Sequence, residues 1–350
     1  MTKIHVNPNG RTILVTGSPG FIGANLVLRL LMEMKAGTVI SLDDMNDCGD
    51  AALKAHRLCL IERAADASSA RHVFIRGSVA DRALVNHVFE EYAPGVVVHL
   101  AARDDAQCPE ACVESNLAGF FNVIDACRRH PVAHLVYASS DSVYGDNKKM
   151  PSGTDDRTDH PLSLYAATKR SNELMAYSFA SRYGIPCTGL RFFSVFGPTE
   201  GPDGFCRAAT DALLRGDRVP IPNGGNCLRD FIYIDDAVEA LFRVMQGAPR
   251  RGVDDDDAPA APYALCNVGS GRPENLLDFL SALHQALISA GLLPADHDLS
   301  AHRELSPMQP GEAPVTCADT GALEADYGCR PAIGIREGLK RFAEWYREQM

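Results

Sequence analysis

The sequence predicts an α/β protein with a doubly wound parallel sheet and a smaller C-terminal substrate-binding region. Short apolar segments alternate with helical patterns through the first half of the chain, as in sheets whose strands are joined by helices. A glycine-rich turn separates the first such segment from the first helix. After Gly197, Pro and Gly residues interrupt the pattern, which indicates a region of different organisation.

The glycine turn is the motif around which the first half is arranged. The apolar segment 12–15 precedes it, and the helical pattern 24–31 follows. Gly17, Gly20 and Gly23 allow a tight turn and a close approach of the backbone to a pyrophosphate, which the first amides of the helix then face. This strand–turn–helix context favours a Rossmann-type dinucleotide site over a glycine turn that binds nothing.

Further segments predict the remaining strands of the sheet. They are residues 38–42, 72–76, 96–100, 134–138, 188–193 and, late in the chain, 265–268. Residues 81–92, 165–183 and 235–245 predict helices between them. The last helix, 335–348, places Leu339, Phe342 and either Trp345 or Tyr346 along one face.

These patterns predict three regions in the chain. Residues 1–193, to which 231–268 return, form the cofactor domain. Residues 194–230 and 269–332 form the substrate region, and 333–350 form a C-terminal helix. The acidic run 254–257 is interpreted as a solvated insertion.

Composition limits the possible partners. The 350 residues are 46% hydrophobic and carry a net charge of −11, which makes nucleic acid an improbable ligand. The eleven cysteines show no metal-binding or disulfide spacing, which is typical of free thiols in a reducing compartment. No metal site, signal peptide or membrane span is predicted, and the expected location is the cytoplasm.

Asp43 ends the second predicted strand, a little over twenty residues beyond the glycine turn. A carboxylate there accepts hydrogen bonds from both ribose hydroxyls of an adenosine and repels a 2′-phosphate. The sequence therefore predicts NAD rather than NADP as the cofactor. The alternative is a strand-end acid that faces water.

Ser140, Tyr165 and Lys169 form the predicted catalytic set. Tyr165 and Lys169 are four residues apart and share a face of the predicted helix. An ammonium and a cationic nicotinamide ring would lower the pKa of the tyrosine, so that it could act as a base. Ser140 ends the fifth predicted strand and could hydrogen-bond the same reacting oxygen.

The chain resembles extended short-chain dehydrogenases/reductases of the nucleotide-sugar epimerase and dehydratase group, most closely UDP-glucuronate 4-epimerases. The resemblance covers nearly the whole chain. Its motifs are residues 16–23, 42–47 with Leu53-Lys54, 99–102, 139–145, 163–169, 190–193, 229–236 and 308–312.

The resemblance implies a 4-epimerase that acts on a UDP-hexose or UDP-hexuronate through a transient 4-keto sugar, with bound NAD and as a homodimer. The implied cofactor residues are Gly17, Gly20, Phe21, Ile22, Gly23, Asp43, Asn46, Ser78, Val79, Leu100, Ala101, Ala102, Asn116, Tyr165 and Lys169. The implied substrate residues are Ser142, Ser194, Arg229 and Gln309, with Arg229 at the diphosphate and Asn116 also near the sugar or nucleotide.

The sequence departs from this group at several positions. Asp141 stands where epimerases usually have a small hydroxyl residue and where 4,6-dehydratases have an acid, whereas Ser142 replaces the dehydratase Glu. Asp141 is therefore a fourth candidate catalytic residue. A dehydratase-type enzyme and a non-catalytic NAD-binding sensor remain alternatives.

A second group of departures concerns the sugar. Gly201 replaces an Arg that helps to hold the glucuronate carboxylate in relatives, and Glu200 lies beside it. The segment after Ala102 is also shortened. Because a carboxylate near other carboxylates without a cation is costly, we expect a sugar that is neutral at C6 or otherwise modified, unless Arg103 replaces the missing cation.

Overall fold

A computed structural model describes residues 3–46, 50–104, 107–253, 259–308 and 313–349. The acidic run 254–257 and Gln309 lie outside the described residues, as do parts of the motifs 42–47 and 308–312.

Seven parallel strands form the central sheet. Their bounds are β1 Thr12–Thr16, β2 Thr38–Asp43, β3 Arg71–Arg76, β4 Val96–His99, β5 His134–Ser140, β6 Cys187–Phe192 and β7 Tyr263–Val268. In space they follow the order β7-β6-β5-β4-β1-β2-β3. Every strand that the sequence predicts is present, which confirms the doubly wound sheet. The strand order reverses beside β1, where ligands bind in sheets of this kind.

Helices cover both faces of the sheet. Their bounds are α1 Phe21–Glu33, α2 Ala51–Ala67, α3 Arg82–Tyr92, α4 Pro109–Val113, α5 Phe120–Arg129, α6 Leu164–Tyr183, α7 Phe205–Arg215, α8 Ile234–Met245, α9 Leu276–Ser289, α10 Gly321–Tyr327 and α11 Ile335–Gln349. A π-helical segment, Glu114–Gly119, joins α4 to α5. None of the helices within the described ranges is long and apolar enough to cross a membrane.

The core has two layers around the sheet. Leu30 of α1 and Leu241 of α8 pack on one face together with Val15 and Val98. On the other face, Phe89, Phe120 and Ala176 pack against Leu14 and Val97. The strands are apolar on both faces because helices bury both.

A third apolar cluster holds the later part of the chain together. Phe196, Phe231 and Phe279 meet there, with the rings of Phe231 and Phe279 stacked at 4.0 Å. Leu339 and Phe342 bury the predicted face of the last helix against this cluster, and Trp345 and Tyr346 pack at its border. Helices α2, α4, α5, α7, α9 and α10 are not among those that the sequence analysis delimits.

Short strand pairs complete the structure. They are Lys3–His5 with Gly247–Pro249, Ser194–Phe196 with Phe231–Tyr233, Val219–Ile221 with Arg303–Leu305, Leu228–Arg229 with Glu274–Asn275, and Gly252–Val253 with Pro259–Ala260. The pairing of Ser194–Phe196 with Phe231–Tyr233 joins the start of the predicted substrate region to the segment that is predicted to return to the cofactor domain.

Candidate active site

A cavity of about 560 Å³ lies at the carboxyl ends of the central strands. One part is lined by the glycine turn and Asp43, and we call it the Asp43 end. The opposite part is lined by Ser140, Asp141 and Tyr165, and we call it the Tyr165 end.

Most of the predicted cofactor and catalytic residues lie in the wall of this one cavity. They are Gly17, Gly20, Phe21, Ile22, Gly23, Asp43, Asn46, Ser78, Val79, Leu100, Ala101, Ala102, Ser140, Asp141, Tyr165 and Lys169.

Local geometry explains why a glycine starts the turn. Gly17 has a φ of +71°, a left-handed conformation, and its amide donates to the Leu42 carbonyl at 2.9 Å. A Cβ on Gly17 would lie 2.7 Å from the Ala101 nitrogen, so a larger residue would displace the segment after β4. The turn closes with a 3.0 Å hydrogen bond from the Gly20 amide to the Gly17 carbonyl, directly before α1.

The acidic side chains at the Asp43 end have basic partners. Asp44 lies 3.0 Å from Arg103, and hydrogen bonds from Asn46 and Arg103 overcome burial and lower the pKa of Asp44. Asp43 accepts a 2.8 Å hydrogen bond from the Met45 amide. Burial raises the pKa of Asp43, and Lys54, 4.0 Å away, partly offsets this.

Lys169 and Tyr165 meet at the other end of the cavity. Lys169 is 2% exposed, and its Nζ donates to the Ala138 carbonyl at 3.0 Å and lies 5.5 Å from the centre of the Tyr165 ring. Burial lowers the pKa of Lys169 to about 8. Burial also raises the pKa of Tyr165, and the carboxylates of Asp104 and Asp141 raise it further. The expected lowering of the tyrosine pKa by Lys169 is therefore not seen.

Asp141 lies beside Ser140 in the cavity wall. The Ser140 hydroxyl donates to Asp141 at 3.3 Å and accepts a 3.2 Å hydrogen bond from the Ser142 amide. Burial raises the pKa of Asp141 to about 6, although Arg229 acts in the opposite direction. The acid is thus poised to change charge close to neutral pH.

A second cavity of about 540 Å³ adjoins the first. Ser194, Val195, Glu200, Asp203 and Gly204 line both cavities. The predicted diphosphate residue Arg229 lies in the wall of the second cavity, together with Phe231. Two ligands could therefore approach each other where the cavities meet.

Two predicted residues of the described ranges, Asn116 and Ser142, do not line either cavity. Asn116 is 1% exposed and behind the wall, where it accepts from the Arg103 amide and donates to the Arg103 carbonyl, each at 2.8 Å. Its amide thus shapes the segment after β4. The Ser142 hydroxyl is buried without a hydrogen-bond partner and does not line either cavity. Gln309 lies outside the described residues.

The structure also changes the interpretation of Glu200. Its carboxyl group is 2% exposed and accepts from the Gly197 amide, and the amides of Cys206 and Arg207 at the start of α7 act on it in the same way. Burial raises the pKa of Glu200 to about 8, so the group is largely neutral at pH 7. Glu200 therefore does not repel a substrate carboxylate as the sequence suggested.

Several wall residues escape prediction from the sequence. Arg57, Lys54, Asp104 and Asp203 line the larger cavity, and so does Arg103, which the sequence offered only as a replacement for the missing cation. Arg57 and Lys54 belong to α2, whose weak amphipathic pattern gives no sign that one face meets a cavity. A long basic residue 5% exposed, such as Arg57, is recognisable only when its buried partners are known.

Comparison with known proteins decides the family. The model of the NAD-dependent epimerase/dehydratase family matches residues 13–255. The chain belongs to this family. The predicted resemblance, fold and NAD dependence are thereby confirmed.

The relatives of this epimerase/dehydratase family member match nearly the whole chain. A 37.6 kDa protein from the cld 5′ region of Escherichia coli O111:H- is 40% identical, covering 96% of this chain and 98% of the relative. A probable UDP-glucuronate 4-epimerase of Rhizobium meliloti is 36% identical, covering 95% and 96%. A Thermotoga maritima UDP-glucose 4-epimerase, solved with UDP-glucose, is 25% identical with a TM-score of 0.78, covering 97% and 99%.

Proposed function

We propose that this protein interconverts a UDP-sugar and its 4-epimer with NAD as a cofactor that is regenerated in each turnover. The observation that carries the proposal is the position of Ser140, Tyr165 and Lys169. They line the Tyr165 end of the larger cavity, opposite the Asp43 end. The named activities of the relatives from Rhizobium meliloti and Thermotoga maritima support the same reaction.

The residues at the Asp43 end fit a dinucleotide. The glycine turn brings backbone amides and the start of α1 to the cavity, where a pyrophosphate is stabilised. The carboxylate of Asp43 suits two ribose hydroxyls. When bound, NAD supplies the hydride acceptor and donor at C4 of the sugar. We infer that residues 194–230 and 269–332 form the nucleotide-sugar region, with Ser194 and Arg229 at the UDP.

The protein's own part in the reaction is the movement of one proton. Tyr165 takes the proton of the sugar 4-hydroxyl and returns it to the 4-oxygen after the 4-keto sugar has turned over in the site. Because burial and two carboxylates raise the pKa of Tyr165, the phenolate needs nearby positive charge. The Lys169 ammonium supplies that positive charge. Ser140 donates a hydrogen bond to the reacting sugar oxygen.

We infer further that the preferred sugar carries no carboxylate at C6. Asp104 and Asp141 both act on Tyr165 electrostatically, so two acidic groups already surround the reacting end. Arg103 is held at Asp44, at the other end of the cavity, and so does not replace the missing cation. A uronate carboxylate would add a third negative charge there.

A dehydratase-type reaction is the second candidate, because Asp141 has the raised pKa of a general acid and lies beside Ser140. The position of the dehydratase base holds Ser142, whose hydroxyl is outside the cavity wall. This arrangement favours epimerisation, which needs no second acid–base pair.

Incubation with UDP-glucose, UDP-N-acetylglucosamine and UDP-glucuronate tests the proposal. We expect a product of unchanged mass and inverted configuration at C4, with the two neutral sugars preferred. Loss of water from the product would establish the dehydratase instead. Absence of any product would favour an NAD-binding sensor.

We also propose that the protein is a cytoplasmic homodimer. Phe121 of α5 and Leu174, Tyr177 and Tyr183 of α6 leave large apolar side chains exposed on adjacent helices. Seven cysteines of the described residues, among them the buried Cys127, Cys187 and Cys206, are free thiols, which is typical of a reducing compartment. Analytical ultracentrifugation should give a dimer that Leu174→Glu shifts to monomer. Met32→Glu, at a 76% exposed site on α1, is the matched control.

A further inference from the structure

Arg57 of α2 connects the glycine turn to the loop that follows Gly197. Its Nη1 donates to the Pro19 carbonyl at 3.0 Å, inside the turn. Its Nε donates to the Thr199 carbonyl at 3.0 Å, and its Nη2 bonds the same oxygen. The side chain is 5% exposed, so these bonds are shielded from competing water.

Thr199, whose carbonyl Arg57 holds, has an unusual backbone conformation. Thr199 has a φ of +68°, the left-handed region, which a β-branched residue adopts only when its surroundings impose it. A second residue of the cofactor half contributes, because Asn25 of α1 donates to the Thr199 hydroxyl at 3.2 Å and to the Phe21 carbonyl at 2.8 Å. Two side chains next to the glycine turn, those of Arg57 and Asn25, thus hold this loop.

The held loop forms the partition between the two cavities. Glu200, Asp203 and Gly204 line both of them, and hydrogen bonds of 3.1 Å from the Glu200 amide to Gly197 and from the Gly204 amide to Gly201 keep the loop compact. A change in the glycine turn on one side can therefore reach the second cavity through Arg57 and Thr199.

The electrostatic surroundings keep Arg57 charged. Burial lowers the pKa of Arg57 to about 10, while Asp203 and Asp50 act to raise it. The guanidinium carbon lies 5.9 Å from the centre of the Phe21 ring. A guanidinium fork can serve two carbonyls in one plane, whereas a lysine ammonium is a point donor.

We propose that Arg57 is a positioning residue that couples the two cavities, so that a nucleotide in the second cavity strengthens the binding of dinucleotide in the first. The assignment rests on the proposed function, because the second ligand is taken to be a UDP compound. It acts through the carbonyl of Pro19, which precedes Gly20 in the wall of the first cavity, and through that of Thr199, which precedes Glu200 in the wall of both cavities.

The same coupling explains the identity of residue 201. A Cβ on Gly201 would meet the Asp203 carboxylate and would lie 3.9 Å from Nη2 of Arg57. An arginine at position 201 would therefore compete with Arg57 for the same acid. The loop without that arginine is the one in which Arg57 can hold Thr199.

The test measures the affinity for NADH, by its fluorescence on cofactor-stripped protein, with and without saturating UDP. We expect UDP to tighten NADH binding at least about fivefold in the wild type. Arg57→Lys and Arg57→Gln should reduce this factor to below about twofold. Arg63→Lys, an exposed arginine on the same helix, should keep it.

Each outcome distinguishes a different explanation. If Arg57 only contacted the dinucleotide, NADH affinity would fall in the variants but the UDP factor would be unchanged, and the proposal would be wrong. A lowered Tm with an unchanged UDP factor would likewise reduce Arg57 to a structural role. Failure of the wild type to bind UDP would overturn the proposed function together with the coupling. A wild type that binds UDP without any tightening of NADH binding would overturn the coupling alone.

A second variant leaves Arg57 in place. Asn25→Ala removes the bond to the Thr199 hydroxyl, and we expect a partial loss of coupling with full NADH affinity. Full coupling in Asn25→Ala together with full coupling in Arg57→Gln would overturn the proposal even if either protein were less stable than the wild type.

Discussion

The pKa values of the charged groups are set differently at the two ends of the larger cavity. At the Asp43 end, hydrogen bonds from Asn46 and Arg103 lower the pKa of Asp44 despite burial, and Lys54 partly offsets the burial that raises the pKa of Asp43. At the Tyr165 end, burial is the largest influence on Asp141, Tyr165 and Lys169, and it moves the pKa of Asp141 to about 6 and that of Lys169 to about 8.

This difference follows from what each end is proposed to do. A group that only binds is best held in one charge state by a partner, whereas a group that exchanges protons works best with a pKa near the working pH. Ionisation at the Asp43 end should therefore matter little between pH 6 and pH 9, and ionisation at the Tyr165 end should dominate the pH dependence.

Tyr165→Phe should have the largest effect. It removes only the phenolic oxygen, so kcat should fall on the order of 100-fold or more while NADH still binds. Steady-state kinetics and a fluorescence titration on the same preparation check this. Near-normal turnover would exclude Tyr165 as the proton carrier, and lost NADH binding would mean that the two ends are not separable.

Asp43→Ala should change the preference for NAD over NADP and leave the catalytic step nearly unaffected. Loss of hydrogen bonds to a charged acceptor should weaken NAD by roughly 10- to 100-fold and reduce the preference over NADP, with kcat at saturating NAD nearly unchanged. The protein should also purify with some NAD bound. Equal affinity of the wild type for NAD and NADP would contradict the role of Asp43.

Asp141→Ser should alter the choice of sugar. Removing the carboxylate should raise kcat/KM for UDP-glucuronate relative to UDP-glucose by about tenfold, because one repulsive charge is lost. Asp141→Asn keeps the volume and should behave in the same way. Abolished activity on all sugars in both variants would instead identify Asp141 as a general acid.

The pH profile should show the smallest effect. The Lys169 ammonium is the working form, and because its pKa is lowered to about 8, it is present below that pH and lost above it. The phenolate of Tyr165 increases with pH in both proteins, so the comparison is with Lys169→Arg, whose cation does not titrate there. Between pH 7 and pH 8.5 the ratio of wild-type to Lys169→Arg kcat should fall about fourfold; an unchanged ratio would exclude Lys169 as the titrating group.

The sheet and most of the Asp43 end could be predicted from the sequence because both depend on local patterns. Apolar strands and a glycine turn are contiguous signals, and strand ends of a parallel sheet meet at one edge, which places Asp43 and Ser140 at the same cavity without further information. The positions of Gly17 and Ala101 follow from the same rule.

The remainder depends on contacts between distant segments. Arg57 lies on a helix whose sequence shows no amphipathic face, and its partner Thr199 is 142 residues away. The sequence suggested that Glu200 is a charged acid near the sugar, and only its burial and its contact with the first amides of α7 show that it is largely neutral. The burial that raises the pKa of Tyr165 is likewise a property of the folded cavity, so the sequence suggested the opposite direction.

The central claim is that the hydride leaves C4 of the sugar and returns to it within one closed site. The most direct measurement uses UDP-glucose carrying deuterium at C4 and follows the products by NMR and mass spectrometry. We predict the 4-epimer at unchanged mass, with deuterium retained at C4. Loss of deuterium to solvent, transfer of it to another carbon, or a product lighter by one water would contradict this account.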